Sequence, residues 1–225
     1  VVGQFSSLGT NLVIVLPGRS GTGGFNPANA ITTTPRDLTV DDAAALLRAP
    51  GVRRAAPLAV GTSEISVAGR LREVMVAGTT ASYFPIRSFE LGQGSALPDE
   101  DWGRGSSVAV IGAKIREEMF GNAPAIGQLV RVGDRRLRVV GVLKPVGQGL
   151  GMNTDELVIV PVALAQALFN SNTLFRILVE AKSREAIPEA REQALDILKQ
   201  RHRGEEDVTV ITQDAVLATF DKLLG

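Results

Sequence analysis

Apolar and polar positions are patterned most sharply between residues 107 and 143. An apolar run, Val108-Ala109-Val110-Ile111, stops at Gly112. Residues 113–120 then space their apolar side chains as a short amphipathic helix, and Gly121 follows in the usual stop position. Two β-rich runs flank Gly133-Asp134, a dipeptide of tight hairpins. This predicts strand, helix and hairpin, with nothing in the layout of an active site.

The flanking sequence divides into similar pieces. Residues 1–8 are weakly helical. Residues 11–16 (NLVIVL) form an apolar run of buried-strand type, closed by Pro17-Gly18. Residues 18–35 are rich in Gly, Asn and Thr and read as an exposed loop. Thr39 can cap a helix whose first turn carries Asp41 and Asp42 and whose stripe is Ala43, Leu46 and Leu47. Pro50-Gly51 ends it. A β-rich run, 53–67, turns at Ala68-Gly69 and returns as a strand over 71–77. Residues 78–104 read as irregular. Residues 147–151 form a Gly-rich flexible segment. A short strand at 157–160 precedes Pro161, which suits the first turn of a helix ending at Phe169. Then come a strand (174–181) and a helix (188–202) with the stripe Ile187, Ala190, Ala194, Ile197 and Leu198. A final strand (207–211) leads to Thr212, the cap of a last helix carrying Val216, Leu217, Phe220, Leu223 and Leu224 on one side.

Two strand–helix–strand units emerge, 11–67 and 174–211. Together they make an α+β fold, a split ferredoxin-like α/β sandwich. The expected division is a discontinuous α/β subdomain, 1–77 with 163–225, and an inserted, mostly β subdomain, 78–162.

Composition narrows the function classes. The 225 residues are 44% hydrophobic and 21% charged, an ordinary globular balance. Lys+Arg and Asp+Glu are equal at 24 each, so no global field draws the chain to nucleic acid. The absence of cysteine excludes disulfides, zinc–thiolate sites and thiol catalysis. No apolar run approaches the ~20 residues of a membrane span, and Val1-Val2-Gly3-Gln4 lacks the basic start of a signal peptide. Without an initial Met, the chain reads as a piece of something larger.

The candidate chemistry is thin. Residues 18–24 (GRSGTGG) follow a strand as a phosphate loop would. They lack the Lys that reaches phosphate, and Phe25-Asn26-Pro27 replaces the helix start. A surface loop is the expectation. The single histidine, His202, stands at a helix end beside Arg201 and Arg203, far from any G-x-S-x-G pattern. It reads as a solvated helix-end residue favoured by the dipole. The acidic runs Asp99-Glu100-Asp101 and Glu205-Glu206-Asp207 lack calcium-loop spacing and read as solvated charge. Tyr83, Phe84, Phe89 and Trp102 serve either as anchors for a partner or as core of the middle subdomain. Phe25 is the one large apolar side chain of its loop. Leu150 and Met152 form a second interface candidate. Leu217, Phe220 and Leu224 could pair one stalk with another.

In order and spacing, several segments resemble the extracytoplasmic core domain of MacB-like and FtsX-like ABC transporter permeases. They are Leu8-Gly9-Thr10-Asn11-Leu12 with Pro17-Gly18, then Pro50-Gly51-Val52, then the stretch 79–84. Next come Val108 to Gly112, Phe120-Gly121, Ile126-Gly127, Val139-Val140-Gly141-Val142 and residues 155–161 (DELVIVP). The family's Tyr-Phe motif is here Tyr83-Phe84, followed by Gly92-Gln93-Gly94 without the family's Arg.

The resemblance implies a domain outside the cytoplasmic membrane, between the first and second transmembrane helices of a permease. The α/β part would be porter-like. The chain's ends would lead into stalks, joined to the membrane through flanking helices. The implied partners are a second permease protomer, an ATPase subunit or domain on the cytoplasmic side, and an adaptor or membrane-fusion protein, with no nucleic acid. No cofactor is expected in this domain, since ATP would be bound by the separate ATPase. The implied role is non-catalytic: stalk movement is coupled to an adaptor, substrate or partner, with export of small molecules or peptides foremost. Lipoprotein release and cell-wall hydrolase activation are the family's other roles. Alone, the domain should be soluble and monomeric. The rivals are a free-standing extracytoplasmic binding protein and a small secreted α/β hydrolase.

Overall fold

The computed structural model describes residues 10–18, 37–146, 148–149 and 152–212. The expected helix at 1–8, most of the Gly-rich loop at 18–35 and the expected last helix lie outside these. So do Phe25, Leu150, Leu217, Phe220 and Leu224.

Twelve strands and five α-helices follow in chain order among the described residues. They are β1 (Leu12–Pro17), α1 (Val40–Leu46), β2 (Val52–Val67), β3 (Arg70–Thr79), α2 (Tyr83–Arg87), β4 (Leu91–Gly94) and β5 (Val108–Ile111). Next are α3 (Ala113–Phe120), β6 (Leu129–Val132), β7 (Arg135–Leu143), β8 (Gln148–Gly149) and β9 (Met152–Asn153). A 3₁₀ turn (Thr154–Glu156) leads to β10 (Leu157–Pro161), α4 (Val162–Phe169), β11 (Arg176–Ala181), α5 (Ile187–Arg201) and β12 (Val208–Thr212).

The chain forms two compact units, with boundaries at 55/56 and 172/173. The outer unit holds β1, α1, the start of β2, β11, α5 and β12. Its strand order is β12-β1-β11-β2, the order of a ferredoxin-like sandwich, as the patterning predicts. Antiparallel registers set Val13 opposite Val179 on one side and opposite Thr212 on the other. Thr39 caps α1 reciprocally: its Oγ1 accepts the Asp42 N–H at 3.2 Å, and Asp42 Oδ2 accepts the Thr39 N–H at 3.1 Å. Helix α5 packs on β1, β12 and α1. It does so with Ile187, Ala190, Ala194 and Leu198 buried, while Ile197 is only half-buried.

The middle unit is a closed circuit of strands. β2 pairs β3, β3 pairs β10 in parallel, and β10 pairs β5. β5 pairs β7 in parallel, β7 pairs β6, and β6 returns to β2 through Ile65↔Val132 and Ser66↔Arg131. Closure leaves these strands few open edges. The inward side chains include Ile65, Val74, Val76, Val130, Val132, Leu137, Val158 and Val160. Helices α3 and α4 add Ile115, Met119, Leu164 and Ala165 to the same interior.

The expected boundaries at 77/78 and 162/163 need correcting. The β2–β3 hairpin pairs over nine residues, and β3 then pairs β10 along its last five, so the hairpin belongs with the middle unit from Ala56 onward. Helix α4 goes with it, because Ala165 closes on Gly78: a Cβ at Gly78 would stand 2.2 Å from the Ala165 Cβ. Residues 78–104 are also less irregular than expected, since they contain α2 and β4. The hairpin at Gly133-Asp134 is present, with Gly133 at φ +60°.

Candidate functional site

His202 is not solvated. It ends α5 at 4% exposure, and both ring nitrogens meet carboxylates. Nδ1 lies 2.6 Å from Asp207 Oδ1, and Nε2 lies 3.1 Å from Asp42 Oδ2. Arg201 Nε donates to the other Asp42 oxygen at 2.7 Å. Asp42 and Asp207 are buried as well, which corrects the reading of 205–207 as a wholly solvated acidic run. The cluster is a consequence of the local folds. Asp42 is placed by the α1 cap, His202 by the end of α5, and Asp207 by the approach to β12. Burial pushes the His202 pKa down, but the hydrogen bonds to Asp207 and Asp42 outweigh it and raise the pKa. Burial pushes Asp42 up, but the bonds from Arg201, His202 and the Thr39 backbone outweigh it and lower its pKa.

This geometry is a staple rather than a catalyst. An imidazole that donates through both nitrogens keeps no lone pair for general-base work. It is the doubly protonated, cationic form that satisfies two carboxylates and balances their burial. Sequence spacing missed the cluster because Asp42 and His202 lie 160 residues apart. The one available signal was an acidic helix start and a cationic helix end in a fold that packs the two helices together.

In the middle unit, α2 gathers the predicted aromatics. Tyr83 and Phe84 are buried, and Phe89 packs edge-on against both, with ring centroids at 5.6 and 6.3 Å. Arg87, 1% exposed, donates to the Tyr83 hydroxyl at 2.8 Å and stacks 4.8 Å from the Phe89 centroid. Aromatic faces stabilise this buried cation. Met152 is buried too. Tyr83, Phe84 and Met152 are therefore interior side chains and leave the set of interface candidates. Trp102 stays half-buried. It lines a shallow hollow, open to solvent, with Thr80, Glu100 and Arg104. The hollow encloses room for about one water molecule, far less than the ~300–1,000 Å³ of a small-molecule pocket.

Elsewhere in this unit Arg72 bridges Glu118 and Glu156, and Lys114 approaches Glu156 at 3.4 Å. The Arg72 hydrogen bond holds the Glu156 carboxyl below its ordinary pKa. Among the described residues, no group of His, Cys, Asp and Glu is arranged to hold a metal ion, and no helix is long and apolar enough to cross a membrane.

The profile of the MacB-like periplasmic core domain matches residues 1–197. A macrolide export ATP-binding/permease protein of Paracoccus denitrificans is 30% identical over 222 residues, covering 98% of this chain and 32% of its own length. The pyoverdine export ATP-binding/permease protein of Pseudomonas entomophila is 29% identical, covering 96% of this chain and 32% of its own length. The chain thus spans about a third of the curated relatives it matches. In fold, the periplasmic region of MacB from Actinobacillus actinomycetemcomitans superposes with a TM-score of 0.77 at 19% identity, covering 96% of this chain and 95% of that one. The extracellular domain of the noncanonic ABC-type transporter YknZ from Gram-positive bacteria gives a TM-score of 0.71 at 22% identity, covering 89% of this chain and 100% of that one.

Proposed function

Because the chain belongs to the MacB-like periplasmic core domain family, we propose that it serves as the extracytoplasmic, non-catalytic domain of an export permease in the cytoplasmic membrane. In this reading ATP is hydrolysed by a separate ATPase on the cytoplasmic side. Stalk movements reach the domain through its two ends, and the domain passes them to a second protomer, to an adaptor or to the exported small molecule or peptide. Coupling of this kind needs contacts that differ between two states.

The observation that carries the reading, beyond family membership, is where the chain enters and leaves the sandwich. Val13, near the start of β1, pairs with Thr212, the last residue of β12. Segments attached at the two ends therefore depart from neighbouring positions. A paired movement of two stalks would strain one local region of the sheet, where β1 and β12 lie together. The staple of Asp42, His202 and Asp207 ties α1 and α5 to the approach of that same β12.

The absence of cysteine from these 225 residues allows a labelling test, once any cysteine elsewhere in the full-length protein is replaced by serine. Gln200, exposed near the end of α5, is replaced (Gln200→Cys) in the full-length protein in intact cells with a permeabilised outer layer. A membrane-impermeant maleimide is expected to label it fully without lysis. Labelling only after lysis would overturn the extracytoplasmic placement. Titration calorimetry of the 225-residue chain with MgATP is expected to give no binding heat, and a measurable affinity would contradict the division of labour.

A further inference from the structure

The contacts around His202 fit only one charge state of its ring. Nδ1 lies 2.6 Å from an oxygen of Asp207, and Nε2 lies 3.1 Å from an oxygen of Asp42. A cationic imidazole donates to both. A neutral one keeps a single N–H and turns a lone pair on the other carboxylate. The two contacts are not equivalent. The one to Asp207 is the shorter, and Asp42 stays supplied with donors without the ring, since Arg201 Nε reaches its Oδ1 and the Thr39 N–H reaches its Oδ2. The proton that leaves is therefore the one on Nε2, and the contact that breaks is the one to Asp42.

Among the described residues the charged groups around the ring are few. Helix α1 brings Asp42, with Asp37 and Asp41 exposed before and after its cap. Helix α5 brings Arg201, with Lys199 and Arg203 exposed. The approach to β12 brings Asp207, with Glu205 and Glu206 exposed. Strands β1 and β12, on which α5 also packs, carry no titratable side chain. His202 is thus the group here whose ordinary titration falls near neutrality.

The turn that carries Asp207 back to the ring is held against local preference. Arg203, directly after His202, sits at φ +56°, a left-handed conformation that a side chain disfavours. The cluster also holds two separate entries to the sandwich. Gly18, just after β1, donates its N–H to the Asp207 carbonyl at 2.9 Å and accepts from Thr209 Oγ1 at 2.6 Å. Thr39, just before α1, donates its N–H to Asp42. His202 therefore joins the place where the chain leaves β1 to the place where it enters α1.

We propose that His202 is a pH-operated latch of the outer unit: protonated, it clamps the end of α5 to the start of α1, and on losing its Nε2 proton to water it releases Asp42, so that the two helix ends part. Arg201 stays bonded to Asp42 through a long, partly exposed side chain, so the ends remain tethered and the movement is small. Because the folded chain raises the ring's pKa, the latch is closed below that raised value and opens as pH rises through it. The latch lies within the outer unit and stands whether or not the chain serves a permease; in a permease, the pH it meets is that outside the cytoplasm.

A single histidine and no cysteine allow two independent readouts on the 225-residue chain. Nitrogen NMR of the one imidazole gives its titration and the tautomer of its neutral form. Dipolar EPR between nitroxides at Asp41→Cys and Glu205→Cys, both exposed, follows the start of α1 against the turn after α5. Between about pH 5.5 and about pH 9 the ring is expected to lose its proton from Nε2. The labels are expected to move apart by at least about 2 Å, the scale of a helix shift, with the same midpoint. Neither reading needs a substitution in the cluster. Asp42→Asn tests the cause: an amide can donate to the neutral ring or accept from the charged one, so the labels should stay together across the same range. A neutral ring protonated on Nε2 overturns the latch. So does a ring that titrates while the labels hold still, a label movement with a different midpoint, or an Asp42→Asn chain that opens as the wild type does.

Discussion

His202 illustrates how a residue's neighbours override its local sequence. Beside Arg201 and Arg203 it reads as one more surface cation, yet it is buried between Asp42 and Asp207. Its raised pKa means that the folded state holds the proton more tightly than the unfolded chain does. That stabilisation is complete below the ordinary histidine value of about 6.5 and fades as pH rises through the raised value. Asp42 works in the opposite sense. Its lowered pKa stabilises the fold above about 3.9 and is lost as pH falls through the depressed value. Stability from the cluster should therefore be greatest between roughly pH 4 and 6.5. Thermal melts across pH 5 to 9 are expected to show a falling midpoint on the alkaline side. His202→Gln should flatten that fall and lower stability near pH 6 by about 1.5–3 kcal/mol, the worth of a hydrogen bond to a charged group. An unchanged alkaline slope in the variant would remove the staple from the account.

Among the elements, the contact of α4 with the strand circuit depends on missing side chains. Ala165 seats over Gly78 and the Phe169 ring over Gly61, where an added Cβ would stand 2.2 Å and 2.5 Å from the nearest helix atoms. Gly78→Ala is expected to push α4 outward and cost about 1–3 kcal/mol, as overpacking does in a close-packed core. Ala165→Gly in the same chain returns the space. The double variant should therefore recover part of the loss, less the ~1 kcal/mol penalty of glycine inside a helix. Denaturant midpoints of the two single variants and the double one measure this. Strictly additive losses would mean that the two positions do not compete for the same volume. Periodicity alone finds both elements, since β3 alternates and α4 is apolar on the required side. It carries no sign that the two meet at Gly78.

At the level of the complete chain, the sandwich and the circuit each have their own core, and the boundary at 55/56 falls inside a strand that reads as one uninterrupted element. Replacing residues 56–172 by a short Gly-Asn turn is expected to leave a folded sandwich, because β2 and β11 are neighbours in its sheet. A cooperative thermal transition in the shortened chain checks this. A non-cooperative melt would show that the outer unit depends on the middle one. The expected ferredoxin-like order was legible because each of its pieces announces itself locally: twice an apolar strand leads to a helix start, marked by the Thr39 cap in one case and by Pro188 in the first turn in the other. The closed circuit was not legible. Its closing contacts, Ile65 with Val132 and Ser66 with Arg131, join residues more than sixty positions apart, and no local signal encodes such a pairing.

What the residue order settles here is whatever short-range physics controls. Turns at Ala68-Gly69 and Gly133-Asp134, the Thr39 cap, the helix stop at Gly121 and the family resemblance all follow from neighbours within a few positions. Folding in three dimensions settles the fate of groups whose partners are distant. It buries Tyr83, Phe84 and Met152 and clamps His202 between two carboxylates. The reason is that burial and charge pairing depend on which strands become neighbours, and that choice is made by the core as a unit.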